Sequence, residues 1–252
     1  VSRGPAPRVL VAAGLDPSGG AGLVADLEAL AAVGARGWAV ATALTAQGPK
    51  GARGYEPVGD GMLLAQVEAL LAGRERPRAL KTGMLGAGRI AEALAARFSG
   101  RDLARAPLVV DPVLAASSGA SLFDDEGRGA AEALSTLLAR ARLVTPNLPE
   151  LHALTGLDVS SDAAAIVAAR TLPCRAVLVK GGHRAGEPVD LLVEGRRVTR
   201  IPGRRRRGSA RGTGCRLASA IAGLLARGAT LDEAVRGAKR VVERYLDAAA
   251  SK

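Results

Sequence analysis

Short apolar runs alternate with amphipathic stretches along this chain, and most runs end on glycines or polar residues. The runs fall at residues 9–13, 38–45, 79–82, 108–111, 143–145 and 176–179. Near-continuous apolar runs this short suit strands covered on both faces. Between them, helical spacing places Leu23, Leu27, Leu30 and Ala31 on one face, and Met62, Leu63, Val67 and Leu70 on the inward face of a helix over 61–71. Further helices are predicted over 90–98, 130–139 and 162–170. The pattern predicts an α/β protein: a three-layer α/β/α, Rossmann-like architecture around a mostly parallel central sheet. No repeat or long linker divides it, so residues 1–252 are expected to form a single domain. In open sheets of this kind ligands gather beyond the C-terminal strand ends, where the polar motifs of this chain stand.

The most informative motif is Gly212-Thr213-Gly214-Cys215, followed by Leu217, Ile221, Leu224 and Leu225 at helical spacing. Glycines ahead of a helix let the backbone turn sharply and converge free N–H groups at the positive end of the helix dipole. That makes an anion hole for a phosphate or a transition state gaining negative charge. A cysteine in the first helical turn is expected to have a lowered thiol pKa. A plain glycine-rich turn with a small buried cysteine is the competing interpretation. A second glycine-rich loop, residues 14–22, follows the first strand. Its spacing and Pro17 separate it from a dinucleotide fingerprint, and no Gly-Lys-Ser/Thr ends it as in a Walker A loop.

Other strand ends carry single candidates. Gln47 is placed to read a heterocycle edge or to cap a loop. Met84 suits the wall of a flat-ring pocket or ordinary core. Asp111 and Glu150 suit a magnesium or phosphate environment, with Asn147 beside Glu150 and Lys180 a point charge for phosphate. Asp26 serves as helix N-terminal charge or orients a ligand. His183 and His152 suit a loop and a helix surface. Residues 190–193 and 197–200 flank a hairpin turn, and Thr230 with Glu233 forms a capping box that opens a last helix.

Charge narrows the partners. Lys and Arg number 35 against 24 Asp and Glu, a net +11, yet only 2% of residues are aromatic. With little to stack on bases and one dense basic run, residues 204–207, nucleic-acid binding is not expected. The first apolar run is too short to span a membrane, and residues 1–7 show no signal-peptide pattern. Two cysteines without ligand spacing point to a reducing compartment. A cytoplasmic protein is expected.

Taken in order, these segments resemble the hydroxymethylpyrimidine/phosphomethylpyrimidine kinases of the ribokinase-like superfamily. The resemblance rests on residues 13–22 with Ala25-Asp26-Leu27, 42–47, 81–85, 110–113, 145–150, 179–183 and 212–215. It implies phosphorylation of 4-amino-5-hydroxymethyl-2-methylpyrimidine and then of its monophosphate, with ATP and Mg²⁺, in thiamine biosynthesis. It assigns pyrimidine contacts to Gly14, Asp16, Ala21, Gln47 and Met84. Nucleotide contacts fall to Asn147, Lys180 and Arg211, and the magnesium side to Asp111 and Glu150. Catalysis falls to Cys215 with the amides of Gly212, Thr213 and Gly214. A homodimer is the expected assembly. The chain departs from the family pattern at Ala210, Arg211 and Arg216, where Thr, His and Thr are usual, and at Ser117. Pyridoxine or pyridoxal kinase activity, sharing fold and anion hole, is the nearest alternative, and a non-catalytic pyrimidine-binding relative the more distant one.

Overall fold

The computed structural model describes residues 5–48, 51–116, 119–181, 188–203 and 210–250. His183, Ser117 and the basic run at 204–207 lie outside them. In chain order the elements are β1 (Arg8–Leu15), α1 (Gly22–Ala32), β2 (Arg36–Gly48), β3 (Gly51–Pro57), α2 (Asp60–Leu71), β4 (Ala79–Thr82), β5 (Gly86–Ala87), α3 (Gly88–Phe98), β6 (Leu108–Val110), β7 (Phe123–Asp124), α4 (Ala130–Arg140), β8 (Leu143–Val144), α5 (Leu148–Thr155), α6 (Asp162–Thr171), β9 (Val177–Val179), β10 (Val189–Glu194), β11 (Arg197–Pro202), α7 (Thr213–Ala226) and α8 (Leu231–Ala250).

The main sheet has nine strands in the order β11-β10-β9-β8-β6-β4-β1-β2-β3. From β9 to β2 every pairing is parallel. β3, β10 and β11 add antiparallel margins. β5 and β7 pair apart from it. Helices cover both faces, as expected for a three-layer α/β protein. The pleat sorts the side chains of β1: Val9, Val11 and Ala13 pack toward α1, α7 and α8, while Leu10 and Ala12 pack toward the layer holding α2 to α6. Alternate residues reach opposite layers because the strand period is two.

Three expectations need correction. The return strand β3 was not foreseen, because its glycines and polar residues carry no apolar run. Its partner β2 runs to Gly48, so Gln47 lies within a strand, beside a register shift between Ala46 and Gln47, rather than past its end. Met62 is 63% exposed, and Leu27 and Ala31 of the predicted α1 face are exposed too, α1 burying Leu23, Ala25, Asp26, Ala29 and Leu30. α2 buries Leu63, Val67 and Leu71 at intervals of four, which turns Met62 outward.

Candidate active site

α7 begins with no side-chain cap. Its N-cap, Gly212, has φ of 71°, and a Cβ there would stand 2.3 Å from the carbonyl oxygen of Gly20. Only glycine accepts both the left-handed backbone and that approach. The uncapped first turn leaves N–H groups free for an anion, as the motif implied. By contrast, the side chains of α5 close its own start. Asn147 Oδ1 accepts the N–H of Glu150 at 2.8 Å, and Glu150 Oε2 accepts the N–H of Asn147 at 2.7 Å. That cap occupies Asn147 Oδ1, so a ligand contact by this residue falls to its amide NH₂.

Facing the start of α7 is a buried charge cluster at the ends of β6, β8 and β9. Lys180 Nζ donates to Asp111 Oδ1 at 2.9 Å and lies 3.5 Å from Glu150 Oε2. Thr145 Oγ1 also donates to Asp111 Oδ1, at 3.1 Å. A Cβ added to Gly214 would lie 3.3 Å from Lys180 Nζ and 3.7 Å from Asp111 Oδ2. The helix start and the charge cluster therefore share one small volume. Burial works against the Lys180 charge, but Asp111 and Glu150 outweigh it and raise the pKa of the ammonium. Burial also raises the Glu150 carboxyl, and Asp111 adds to this while Lys180 and the Asn147 N–H oppose it.

The loop after β1 forms another wall. Met84 Sδ lies 2.8 Å from where a Cβ on Gly14 would stand, so residue 14 must be glycine for Met84 to pack there. Asp16 is 2% exposed. Its Oδ1 accepts from the N–H and hydroxyl of Ser18 at 2.9 and 2.7 Å, and its Oδ2 accepts from the Ala21 N–H at 3.0 Å. Asp16 therefore shapes the loop that carries Ala21. Arg211 adds a tie: its Nη2 donates to Asp16 Oδ2 and its Nη1 to the Gly48 carbonyl, each at 2.7 Å, and Nη1 also donates to Ser18 Oγ at 3.1 Å. The Arg211 charge, assigned by resemblance to the nucleotide, is engaged instead with the loop after β1 and with the end of β2. Gln47 is half-buried on the same side, one residue from Gly48.

Cys215 is half-buried in the first turn of α7. The expectation of a lowered thiol pKa is overturned. Burial pushes the Cys215 thiol up to about 11, Lys81 pulls it down, Asp26 and Asp111 push it up, and the Gly22 N–H favours the thiolate. Desolvation and two nearby carboxylates outweigh Lys81 and the Gly22 N–H. Asp26 is not an exposed helix-terminal charge but is fully buried against Lys81. Arg216 is buried too: Nη2 donates to Glu28 Oε2 at 2.5 Å, Nη1 to the Gly20 carbonyl at 3.1 Å, and its guanidinium lies 3.8 Å from the Tyr245 ring centroid. Tyr245 Oη donates to the Arg211 carbonyl at 3.1 Å.

Gly14, Asp16, Ala21, Met84, Asp111, Asn147, Glu150, Lys180 and Arg211 through Cys215 thus converge on one rim of the sheet, with Gln47 on the adjoining hairpin. His152 lies on the exposed face of α5, its ring bonded to the Leu157 carbonyl. Sequence reasoning missed Thr145, Lys81, Ser219 and Tyr245 as parts of this region. Lys81 had a signal: a lysine inside an otherwise apolar buried strand needs a partner.

The sequence profile described as phosphomethylpyrimidine kinase matches residues 16–251. A hydroxymethylpyrimidine/phosphomethylpyrimidine kinase of Streptomyces coelicolor is 39% identical over 254 residues, covering 96% of this chain and 89% of that protein. The thiamine biosynthesis bifunctional protein ThiED of Geobacter sulfurreducens is 42% identical over 95% of this chain, which spans only 49% of it. The structure of a phosphomethylpyrimidine kinase from Clostridium difficile matches with a TM-score of 0.80 at 34% identity, over 95% of this chain and 99% of that one. Pyridoxal kinase of Staphylococcus aureus in complex with AMP-PCP and pyridoxal matches with a TM-score of 0.83 at 29% identity, over 96% and 88%. Fold and site together define an α/β kinase of the ribokinase-like class. Within that class, the chain belongs to the phosphomethylpyrimidine kinase family.

Proposed function

We propose that this protein transfers the γ-phosphoryl group of ATP to 4-amino-5-hydroxymethyl-2-methylpyrimidine and then to the resulting monophosphate, in thiamine biosynthesis. One observation carries the reading: the uncapped start of α7 stands directly against the Lys180–Asp111 pair, inside a family whose named members are such kinases. In the first step the hydroxymethyl oxygen forms a bond to the γ-phosphorus, the bond to the bridging oxygen of ADP breaks, and the hydroxyl proton leaves. Phosphoryl transfer depends chiefly on positioning and on stabilising charge. The N–H groups at Gly212, Thr213 and Gly214 are assigned the transferring oxygens, and Lys180 with the Asn147 amide the nucleotide phosphates. Gly14, Ala21 and Met84 are assigned the ring wall, with Asp16 and Arg211 holding that wall's loop.

Cys215 is the proton acceptor in this reading. Burial pushes its thiol up to about 11, so only the thiolate fraction, small at neutral pH, can take the hydroxyl proton, and charge stabilisation by the amides and Lys180 carries the rest of the rate. Mg²⁺ fits the donors present. Thr145 and Lys180 both take Asp111 Oδ1, while Oδ2 lies toward Gly214. Carboxylate oxygens at Asp111 and Glu150 suit a hard cation that keeps water and phosphate as its other ligands. When bound, it would neutralise charge on the phosphate oxygens.

The reading includes a cytoplasmic homodimer with neither nucleic-acid nor membrane partners, formed by residues 1–252 as one domain. Exposed Leu15 and Leu44, side by side on β1 and β2, support a second copy as partner. Among the described residues no helix is long and apolar enough to cross a membrane. Light scattering on the purified protein checks the dimer.

The second reading, a pyridoxal or pyridoxine kinase, draws on the superposition with the Staphylococcus aureus enzyme. An ADP-release assay across the aminopyrimidine alcohol, its monophosphate, pyridoxine, pyridoxal and a sugar alcohol separates the two. Highest kcat/KM on the pyrimidines supports the first reading, and highest kcat/KM on the pyridines replaces it. In the first case Gln47→Leu raises the KM for the pyrimidine by the equivalent of about 1–3 kcal/mol and leaves that for ATP unchanged, since ring polar atoms lose their partner.

A further inference from the structure

Beneath the start of α7 lies a charged group that the proposed transfer leaves unused. Lys81 Nζ and Asp26 Oδ1 are 2.7 Å apart, and both side chains are 0% exposed. Ser219 Oγ donates to the same Asp26 oxygen at 2.8 Å. Asp26 Oδ2 is buried without a hydrogen-bond partner. Gly83 leaves room for the ammonium, since a Cβ there would come within 2.7 Å of Lys81 Nζ.

The spacing relates this group to Cys215. Asp26 follows Gly22 by four residues on α1, and Ser219 follows Cys215 by four on α7. Residues four apart share one helix face, one turn below the other. At the upper level stand Gly22, the first residue of α1, and Cys215 in the first turn of α7, whose thiolate the Gly22 N–H favours. At the lower level Asp26 meets Ser219, and Lys81 joins them from the sheet. An ion pair this deep adds little to stability compared with apolar side chains of similar size. Burial raises the Asp26 carboxyl, only partly offset by Lys81 and Ser219. Burial also opposes the Lys81 charge, but Asp26, Cys215 and Asp111 outweigh it and keep the ammonium charged. Around the sulfur stand Asp26 from α1, Lys81 from β4, Asp111 after β6 and Lys180 after β9.

We propose that Asp26, Lys81 and Ser219 are positioning residues for Cys215. Asp26 and Ser219 lock α1 to α7 so that the Gly22 N–H and the sulfur stay in register, and the Lys81 ammonium offsets the carboxylates around that sulfur. The proposal deepens the kinase reading and rests on Cys215 lying at the reacting oxygen. Its first measurement does not depend on that activity.

In a Cys174→Ser background, the rate of Cys215 alkylation by iodoacetamide is followed from pH 7 to 11, with kcat and KM measured on the pyrimidine alcohol and ATP. The double variant Lys81→Met/Asp26→Leu replaces the pair by apolar groups, and circular dichroism and thermal unfolding confirm its fold. The expected result is an alkylation rate lowered about threefold or more at each pH, the equivalent of about half a pH unit in the thiol, and a kcat lowered about tenfold, with the KM for ATP unchanged. An unchanged alkylation rate and kcat in the folded double variant overturn the proposal and leave the pair as core. Ser219→Ala, a small change that keeps the ion pair, gives the independent check. A kcat lowered about threefold at constant KM for ATP supports the lock, and kcat equal to the parent's overturns it. A parent protein inactive on the pyrimidines refutes the kinase reading, while the alkylation rates still decide whether the buried pair acts on Cys215.

Discussion

Two lysine–carboxylate groups sit by one sheet, with Lys81 inside β4 and Lys180 just past β9, and they differ in access. Lys180 with Asp111 and Glu150 opens onto the start of α7, and its side chain keeps 16% exposure. Lys81 with Asp26 is sealed, at 0% for both partners. The chemistry is the same, and access differs. A charge that must meet a phosphate needs a route to the ligand and loses its partner's hold when the ligand arrives. A charge with no route can only shape what surrounds it.

The largest expected effects come from breaking each pair by one residue. Lys180→Met should lower kcat/KM by about 10²–10³, because the proposed reading sets it against the reacting phosphates, and should cost less in urea unfolding than Lys81→Met, because Thr145 stays on Asp111 and the site is partly exposed. Lys81→Met should do the reverse in kind, costing about 3–5 kcal/mol in urea unfolding by leaving Asp26 buried without its partner. Equal effects on stability in the two variants would dissolve the distinction.

Next in size is Cys215→Ala. If the thiol accepts the proton, kcat falls by about 10²–10⁴ with the fold intact. Because burial pushes the thiol up to about 11, the rate of the parent should keep climbing with pH on the alkaline side, and that climb should vanish in the alanine variant. Turnover within about threefold of the parent would make Cys215 a pocket wall.

Arg211 sharpens the line between the two sides of the site. Held by Asp16, Ser18 and Gly48, it should act on the pyrimidine. Arg211→Met is expected to raise the KM for the pyrimidine by about three- to tenfold, at most 1.4 kcal/mol, and to leave that for ATP alone. A change confined to ATP would return Arg211 to the nucleotide.

The smallest effect lies away from the site. Burial raises the Cys174 thiol from 9.0 to about 11. Above pH 9 the unfolded chain then loses this proton first, so the contribution to stability present below that pH fades as pH rises toward 11. Cys174→Ser should flatten the alkaline fall in denaturation midpoint.

Much of this was legible in the sequence, and what was not has physical causes. Apolar runs and helical periods are local, so the parallel core and most helices could be read. The glycine motif was readable because only glycine tolerates what Gly212 does. Facts that depend on distant partners were hidden. Asp26 reads as helix-terminal charge until α7 and β4 enclose it. Arg211 reads as a phosphate contact until Asp16 is found beneath it. The thiol of Cys215 follows the helix rule until burial and two carboxylates are counted. β3 stayed invisible because an edge strand needs no apolar face.

The contacts of Tyr245, its ring under Arg216 and its hydroxyl on the Arg211 carbonyl, also have an optical consequence. The chain contains one tryptophan and two tyrosines, and this ring rests on the residues that border the anion hole. An arginine at 3.8 Å perturbs the ring's ultraviolet absorption and emission, so filling the site should register in the near-ultraviolet spectrum of the unlabelled protein. The last helix thereby carries a built-in reporter, and replacing both Trp38 and Tyr55 by phenylalanine would let that ring be seen against little background.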